Sequence, residues 1–252
     1  MDSSRMEGMD PLLISARFCG PNSSGNGGWS AGALASHVPE RGLGTASEVT
    51  LHRPPPLEHA LRVCTFDDVA TLLDGDDVVA TARAVVDCPT PVPGVAAEIA
   101  RAAESRYPGL VDHPFPHCFA CGPQRAEGDG LRLFPGTVDD VDARPRVACT
   151  WTPDPSLAGS DPELVDAPVA WAALDCPGAW SVDLAGRTIV LGRITAVLDA
   201  LPRIGEEHVV VGAQLGRDGR KWHTASTLYD ADRRVVGRAE HVWFEIDPAA
   251  FS

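Results

Sequence analysis

The chain has 252 residues, 44% hydrophobic and 22% charged, which suits a globular protein of one large or two ordinary domains and excludes a disordered polymer. A formal net charge of −14 argues against an electrostatic grip on nucleic acid or an anionic membrane. No apolar run approaches the ~20 residues of a membrane span.

Met1 to Asp10 is acidic and polar, lacks the basic start and apolar stretch of a signal peptide, and reads as a loose arm. Asn26 to Ala35 then reads as a buried helix. Asn26 suits the capping position, and Gly27, Gly28, Ser30, Ala31, Gly32 and Ala33 are small enough for a sheet to wrap closely. Ser47 to His52 predicts a strand, Pro54 to Pro56 a turn, and Ala60 to Cys64 a second strand. Asp74 to Asp77 is a hairpin turn into a β-branched run, Val78 to Val86. Pro89 to Gly94 breaks the pattern, and Val95 to Tyr107 has helical spacing through Val95, Ile99, Ala102 and Ala103. Asp112 to Gly136 is loop-like and marks the boundary between two halves.

Beyond that boundary the chain repeats itself. Asp166 to Asp175 has the same shape as 26–35, an acidic or amide cap followed by small residues. Ile189 to Leu198 leads through a turn at Leu201 to Gly205 into His208 to Gly212. An extra turn at Arg217 to Arg220 lengthens these strands, and Asp230 to Arg233 turns into Val235 to Phe244. The expected organisation is an N-terminal half over 10–90, a linker with a helix over 91–111, and a C-terminal half over 112–248.

A sheet wrapped round a central helix, present twice in one chain, resembles the double hotdog fold of the acyl-CoA thioesterases. Cys118-Phe119-Ala120-Cys121-Gly122-Pro123, followed by Gly130-Leu131-Arg132-Leu133, is similar to the opening segment of hotdog thioesterases of the phenylacetate-degradation type. Thr150-Trp151-Thr152-Pro153 resembles the end of their first strand, and Leu174-Asp175 resembles the Leu-Asp of their central helix. The resemblance implies an α+β fold, a double hotdog of two antiparallel sheets, each round its own helix, joined as a pseudo-dimer. It implies hydrolysis of an acyl thioester such as acyl-CoA, with the helix carboxylate as the catalytic group.

Neither half carries the whole family pattern, in which a Gly-Gly pair opens the helix and an acid follows seven positions later. Seven beyond Gly28 stands Ala35, and seven before Asp175 stands Pro168. Pairing the halves leaves one composite site of Gly27, Gly28 and Asp175 and one dead site. A helix N-terminus offers free N–H groups to a thioester oxyanion, and a carboxylate can activate water or attack the carbonyl directly; both roles stay open. Asn26, Trp29, Thr195 and His241 are the candidate substrate-binding residues.

Seven cysteines scattered through the chain read as reduced thiols, which points to the cytoplasm. Cys118 and Cys121 have the spacing of a thiolate pair, but no second pair or suitably spaced His accompanies them in sequence, so no metal and no cofactor are expected. A CoA site on so acidic a chain would need a local cluster drawn from its 21 Lys and Arg residues. The expected partner is a small-molecule acyl thioester, with neither nucleic acid nor membrane, and a homodimer of the double hotdog is compatible with the fold. Two rivals remain: a catalytically silent acyl-thioester or fatty-acid binding protein, and, ranking below it, a hydratase or dehydratase of the same fold, whose paired Asp and His are not found.

Overall fold

The computed structural model describes residues 11–39 and 42–247; the arm Met1 to Asp10 lies outside them. The strands are β1 (Leu12–Leu13), β2 (Ala46–Leu51), β3 (Ala60–Phe66), β4 (Val69–Asp74), β5 (Asp77–Val85), β6 (Gly136–Val141), β7 (Arg144–Trp151), β8 (Thr188–Leu198), β9 (His208–Asp218), β10 (Lys221–Tyr229) and β11 (Val235–Ile246). The helices are α1 (Gly27–Ala35), α2 (Ala97–Ala103) and α3 (Ala167–Trp180).

The two helices expected from the repeat are both present and both buried. Every residue of α1 from Gly28 to Ala35 is buried, as is every residue of α3 from Val169 to Trp180. Helices apolar on all sides must lie inside a protein. Asn26 caps α1 as expected, its Oδ1 accepting from the Trp29 N–H at 2.9 Å. Asp166 makes no side-chain cap bond; its backbone carbonyl instead accepts from Val169 and Ala170. Pro168, which has no N–H, removes one of the donors a cap would serve. Helix α3 also runs through Cys176-Pro177-Gly178 to Trp180, where a proline would ordinarily break it. The Leu174 carbonyl in that turn accepts a hydrogen bond from the Ser226 hydroxyl of β10.

The expectation of two sheets is corrected. The described strands form one antiparallel sheet of eleven, in the order β1-β3-β4-β5-β2-β8-β11-β10-β9-β7-β6. The seam is β2 against β8, with Ser47 opposite Ala196, Glu48 opposite Thr195, Val49 opposite Ile194 and Thr50 opposite Arg193. Two separate sheets would each leave an edge of unpaired backbone groups at this place, and pairing satisfies both. Helix α1 packs on β2, β4, β5 and β8, and α3 on β7 to β11.

The helices also pack on each other, and two glycines permit it. A Cβ on Gly28 would lie 2.6 Å from Asp175 Cβ, and one on Gly32 would lie 2.7 Å from Trp171 Cβ. Helix α2 sits on β6, β7 and β9, where Ala100 and Ala103 join Val138, Ala148, Val209 and Val211 in a second apolar cluster. Its buried residues are Ala100 and Ala103; Ile99 and Ala102, which the spacing also counted, are exposed. No described helix is long and apolar enough to cross a membrane.

Candidate active site

A cavity of about 690 Å³ opens where the start of α1 meets the middle of α3. Asn26, Gly27, Cys118, Asp175 and Cys176 line its inner wall, with Leu184, Ile189, Leu191 and Trp180 supplying apolar surface. These groups come from positions up to 165 residues apart in the chain, which is why the repeat, and not any local motif, hinted at their meeting.

Asp175 is the central group. It is 2% exposed, and its Oδ2 accepts from the Gly28 N–H at 2.9 Å and from Asn26 Nδ2 at 3.0 Å. Its Oδ1 has no hydrogen-bond partner among the described residues. Burial pushes its pKa up to about 7, against the opposing pull of the Gly28 N–H. Asn26 therefore has two tasks, capping α1 with its oxygen and holding the carboxylate of α3 with its nitrogen. Gly27 lines the cavity, and its N–H, at the first position of α1, has no intrahelical acceptor available to it. Ala35, where the family pattern would put a second acid, is fully buried in the apolar core.

The four candidate binding residues divide. Asn26 lies in the site. Trp29 contributes its backbone to the cap, but its ring stacks on Phe18 at 4.2 Å between centroids and does not line the cavity. His241 is buried beside α3, its Nδ1 3.1 Å from Thr224 Oγ1; burial lowers its pKa to about 4, and it too lies outside the cavity lining. Thr195 stands opposite Glu48 and the exposed Glu240. Residues paired directly across strands share a face, so Thr195 points away from the helices. The β8 residues that do reach the cavity are Ile189 to Arg193.

Sequence reasoning missed the cations of this cavity. Arg53, Arg193 and Lys221 all line it. Arg53 is held by Asp77 at 2.7 Å and Arg193 by Glu48 at 3.5 Å, whereas Lys221 has no carboxylate partner among the described residues and sits 5.6 Å from the centre of the Phe244 ring. The signal was available: Lys221 is the only lysine in the chain. Three thiols also meet here, Cys118, Cys121 and Cys176, with their sulfurs all within 4.8 Å of one another.

No family model matches the chain, and no curated protein matches it by sequence. Solved structures do. A hot dog fold protein from Alicyclobacillus acidocaldarius superimposes with a TM-score of 0.59 at 14% identity, over 98% of this chain and 96% of that one. The tesB protein of Mycobacterium avium subspecies paratuberculosis gives 0.59 at 12% identity, over 90% of this chain and 89% of that one. An acyl-CoA thioesterase II from Mycobacterium marinum gives 0.52 at 9% identity, over 82% and 81%. The chain thus has the hot dog fold along nearly its whole length, and its structural neighbours include proteins named as thioesterases.

Proposed function

We propose that this chain is an acyl thioester hydrolase with acyl-CoA as its substrate class, working at one composite site between residues 10–90 and 112–248. The observation that carries the reading is the Asp175 carboxylate, buried on the cavity wall with Oδ2 held by two donors and Oδ1 unpartnered. A buried carboxyl oxygen without a partner is costly, and natural proteins keep such groups chiefly where chemistry uses them.

In this reading Oδ1 takes a proton from a water whose oxygen attacks the thioester carbonyl carbon. The carbon–sulfur bond then breaks, and the thiol leaves with a proton. Asn26 and the Gly28 N–H orient the carboxylate. Because the Gly28 N–H is committed to Asp175, the developing oxyanion is assigned to the Gly27 N–H at the positive end of α1. The apolar wall of Leu184, Ile189 and Leu191 suits an acyl chain, and Arg53, Arg193 and Lys221 on the same lining are the cations available to CoA phosphates on an acidic protein, Lys221 alone of the three without a carboxylate partner among the described residues. The thioesterase names among the structural neighbours point the same way.

One observation favours the silent binding protein instead: the donor that resembles an oxyanion hole, Gly28, is already occupied. Thiol release from short, medium and long acyl-CoA separates the two. Under the hydrolase reading, wild type releases thiol, and Asp175→Asn loses about 100-fold or more in turnover while still binding substrate, since the amide keeps the shape but cannot take the proton. If wild type binds acyl-CoA and hydrolyses none of the chain lengths, the binding reading replaces the hydrolase.

A further inference from the structure

We propose that Cys118, Cys121 and Cys176 bind a single zinc ion at the inner wall of the cavity, beside Asp175. The inference stands independently of the thioester reading, because it rests on the thiols alone.

The geometry has the dimensions of a thiolate site. Three sulfurs about 2.3 Å from a tetrahedral zinc lie about 3.8 Å from one another. Cys118 Sγ and Cys176 Sγ are 3.7 Å apart, and all three sulfurs lie within 4.8 Å of each other. The three are buried and line the same cavity. The sequence offered Cys118 and Cys121 no third ligand; α3 brings it, from the residue next to Asp175.

The surroundings are those of thiolates. The Cys118–Cys121 segment folds into a tight loop, closed by the Gly122 N–H on the Cys118 carbonyl at 2.9 Å. A Cβ on Gly122 would lie 2.6 Å from the backbone of Cys118 and Pro116, so the loop demands glycine at this position. Asn26 Nδ2 donates to the Cys118 sulfur at 3.8 Å.

His113 completes the shell without entering the first one. The Phe115 N–H donates to His113 Nδ1 at 2.9 Å, so in the neutral ring Nε2 carries the proton. That nitrogen lies 3.3 Å from Cys121 Sγ and donates to it, as outer groups around metal thiolates do. The fourth coordination position falls to water or to a ligand from the cavity. Soft sulfur donors in this number select zinc over the oxygen-seeking cations. The ion would tie the 113–123 loop to α3, and through Asn26 to the cap of α1, immediately behind the carboxylate.

The test is the metal content of the whole chain, purified under reducing conditions, offered Zn(II) and passed through gel filtration. About one zinc per chain is expected, released on titration with a mercurial reagent. Cys176→Ser and Cys121→Ser should each lower it more than about ten-fold, while Cys64→Ser, away from the cluster, retains it. Should a variant fail to fold, cobalt-loaded wild type carries the test, since thiolate-to-cobalt charge-transfer absorption appears only if sulfur ligates the ion. Folded, reduced wild type that retains less than about a tenth of an equivalent would overturn the proposal. So would zinc retained undiminished in folded Cys176→Ser, or cobalt-loaded wild type without charge-transfer absorption. A Cys118–Cys176 disulfide in freshly isolated protein would overturn it as well.

Discussion

Adding one methyl group at Gly28 tests the contact on which the site is built. In Gly28→Ala the new carbon would stand 2.6 Å from Asp175 Cβ, 2.7 Å from the Trp171 carbonyl oxygen and 3.1 Å from Ala172 Cα, where ordinary contact lies at about 3.5–4 Å. None of these atoms is the far end of a flexible side chain, so α1 and α3 must separate. Overpacking of this kind costs about 1–3 kcal/mol, and stretching the Gly28 N–H bond to a buried carboxylate forfeits about 1.5–3 kcal/mol. Alanine's better helix propensity returns about 1 kcal/mol, leaving a net loss of about 3 kcal/mol. Urea unfolding followed by tryptophan fluorescence reads it directly. Gly216→Ala is the control, since a Cβ there meets nothing within 4 Å. A Gly28→Ala protein within about 0.5 kcal/mol of both wild type and that control would refute the helix contact. The same geometry means that larger residues at Gly28 fail through the fold before they can crowd an acyl carbonyl.

Asp175→Asn should leave the fold as stable as wild type or make it more so, because it replaces a buried carboxylate with an unpartnered oxygen by a neutral amide; a loss of more than about 1 kcal/mol in urea would mean that the carboxylate is structural. His241 should give the fold a pH dependence. Its imidazole is neutral in the fold down to about 4, against an ordinary value of 6.5, so between these values the unfolded chain binds more protons. Its contribution is full above 6.5 and declines as pH falls toward 4, by about 2 kcal/mol at pH 5. In His241→Asn that share of the acid sensitivity should vanish, and urea midpoints falling identically with pH in both proteins would contradict it. Lys221→Ala should raise KM for acyl-CoA about ten-fold and leave a truncated acyl-cysteamine substrate unaffected, as the loss of one phosphate contact predicts; an equal effect on both substrates would remove Lys221 from the CoA site.

The sequence by itself determined the local elements. Asn26 before a run of small residues specified α1, and the echo of that run at 166–175 specified α3, because capping and helix burial are written in neighbouring residues. The Asp-rich turns at 74–77 and 230–233 marked hairpins that the structure contains, since turn chemistry is equally local. The absence of a complete Gly-Gly-to-acid pattern in either half was also readable, and it brought Gly28 and Asp175 together on paper before the structure placed them 2.9 Å apart through a hydrogen bond.

What tertiary structure decided was everything set by strands and helices meeting across long stretches of chain. The β2–β8 seam joins strands more than 130 residues apart, and strand periodicity says which face is apolar but not which edge finds which partner. For the same reason the sequence could not turn Thr195 away from the helices, nor carry α3 through Pro177, whose cost is met by packing against β9 to β11. In the sequence Gly28 stands as one of the small residues opening a helix whose N–H groups suit an oxyanion; only the packed helices show that its missing side chain makes room for Asp175 itself. Cys176 had no visible relation to Cys118 and Cys121, since a metal-sized cluster of sulfurs depends on distances in space, and spacing along the chain records those distances only when the ligands share one loop or helix.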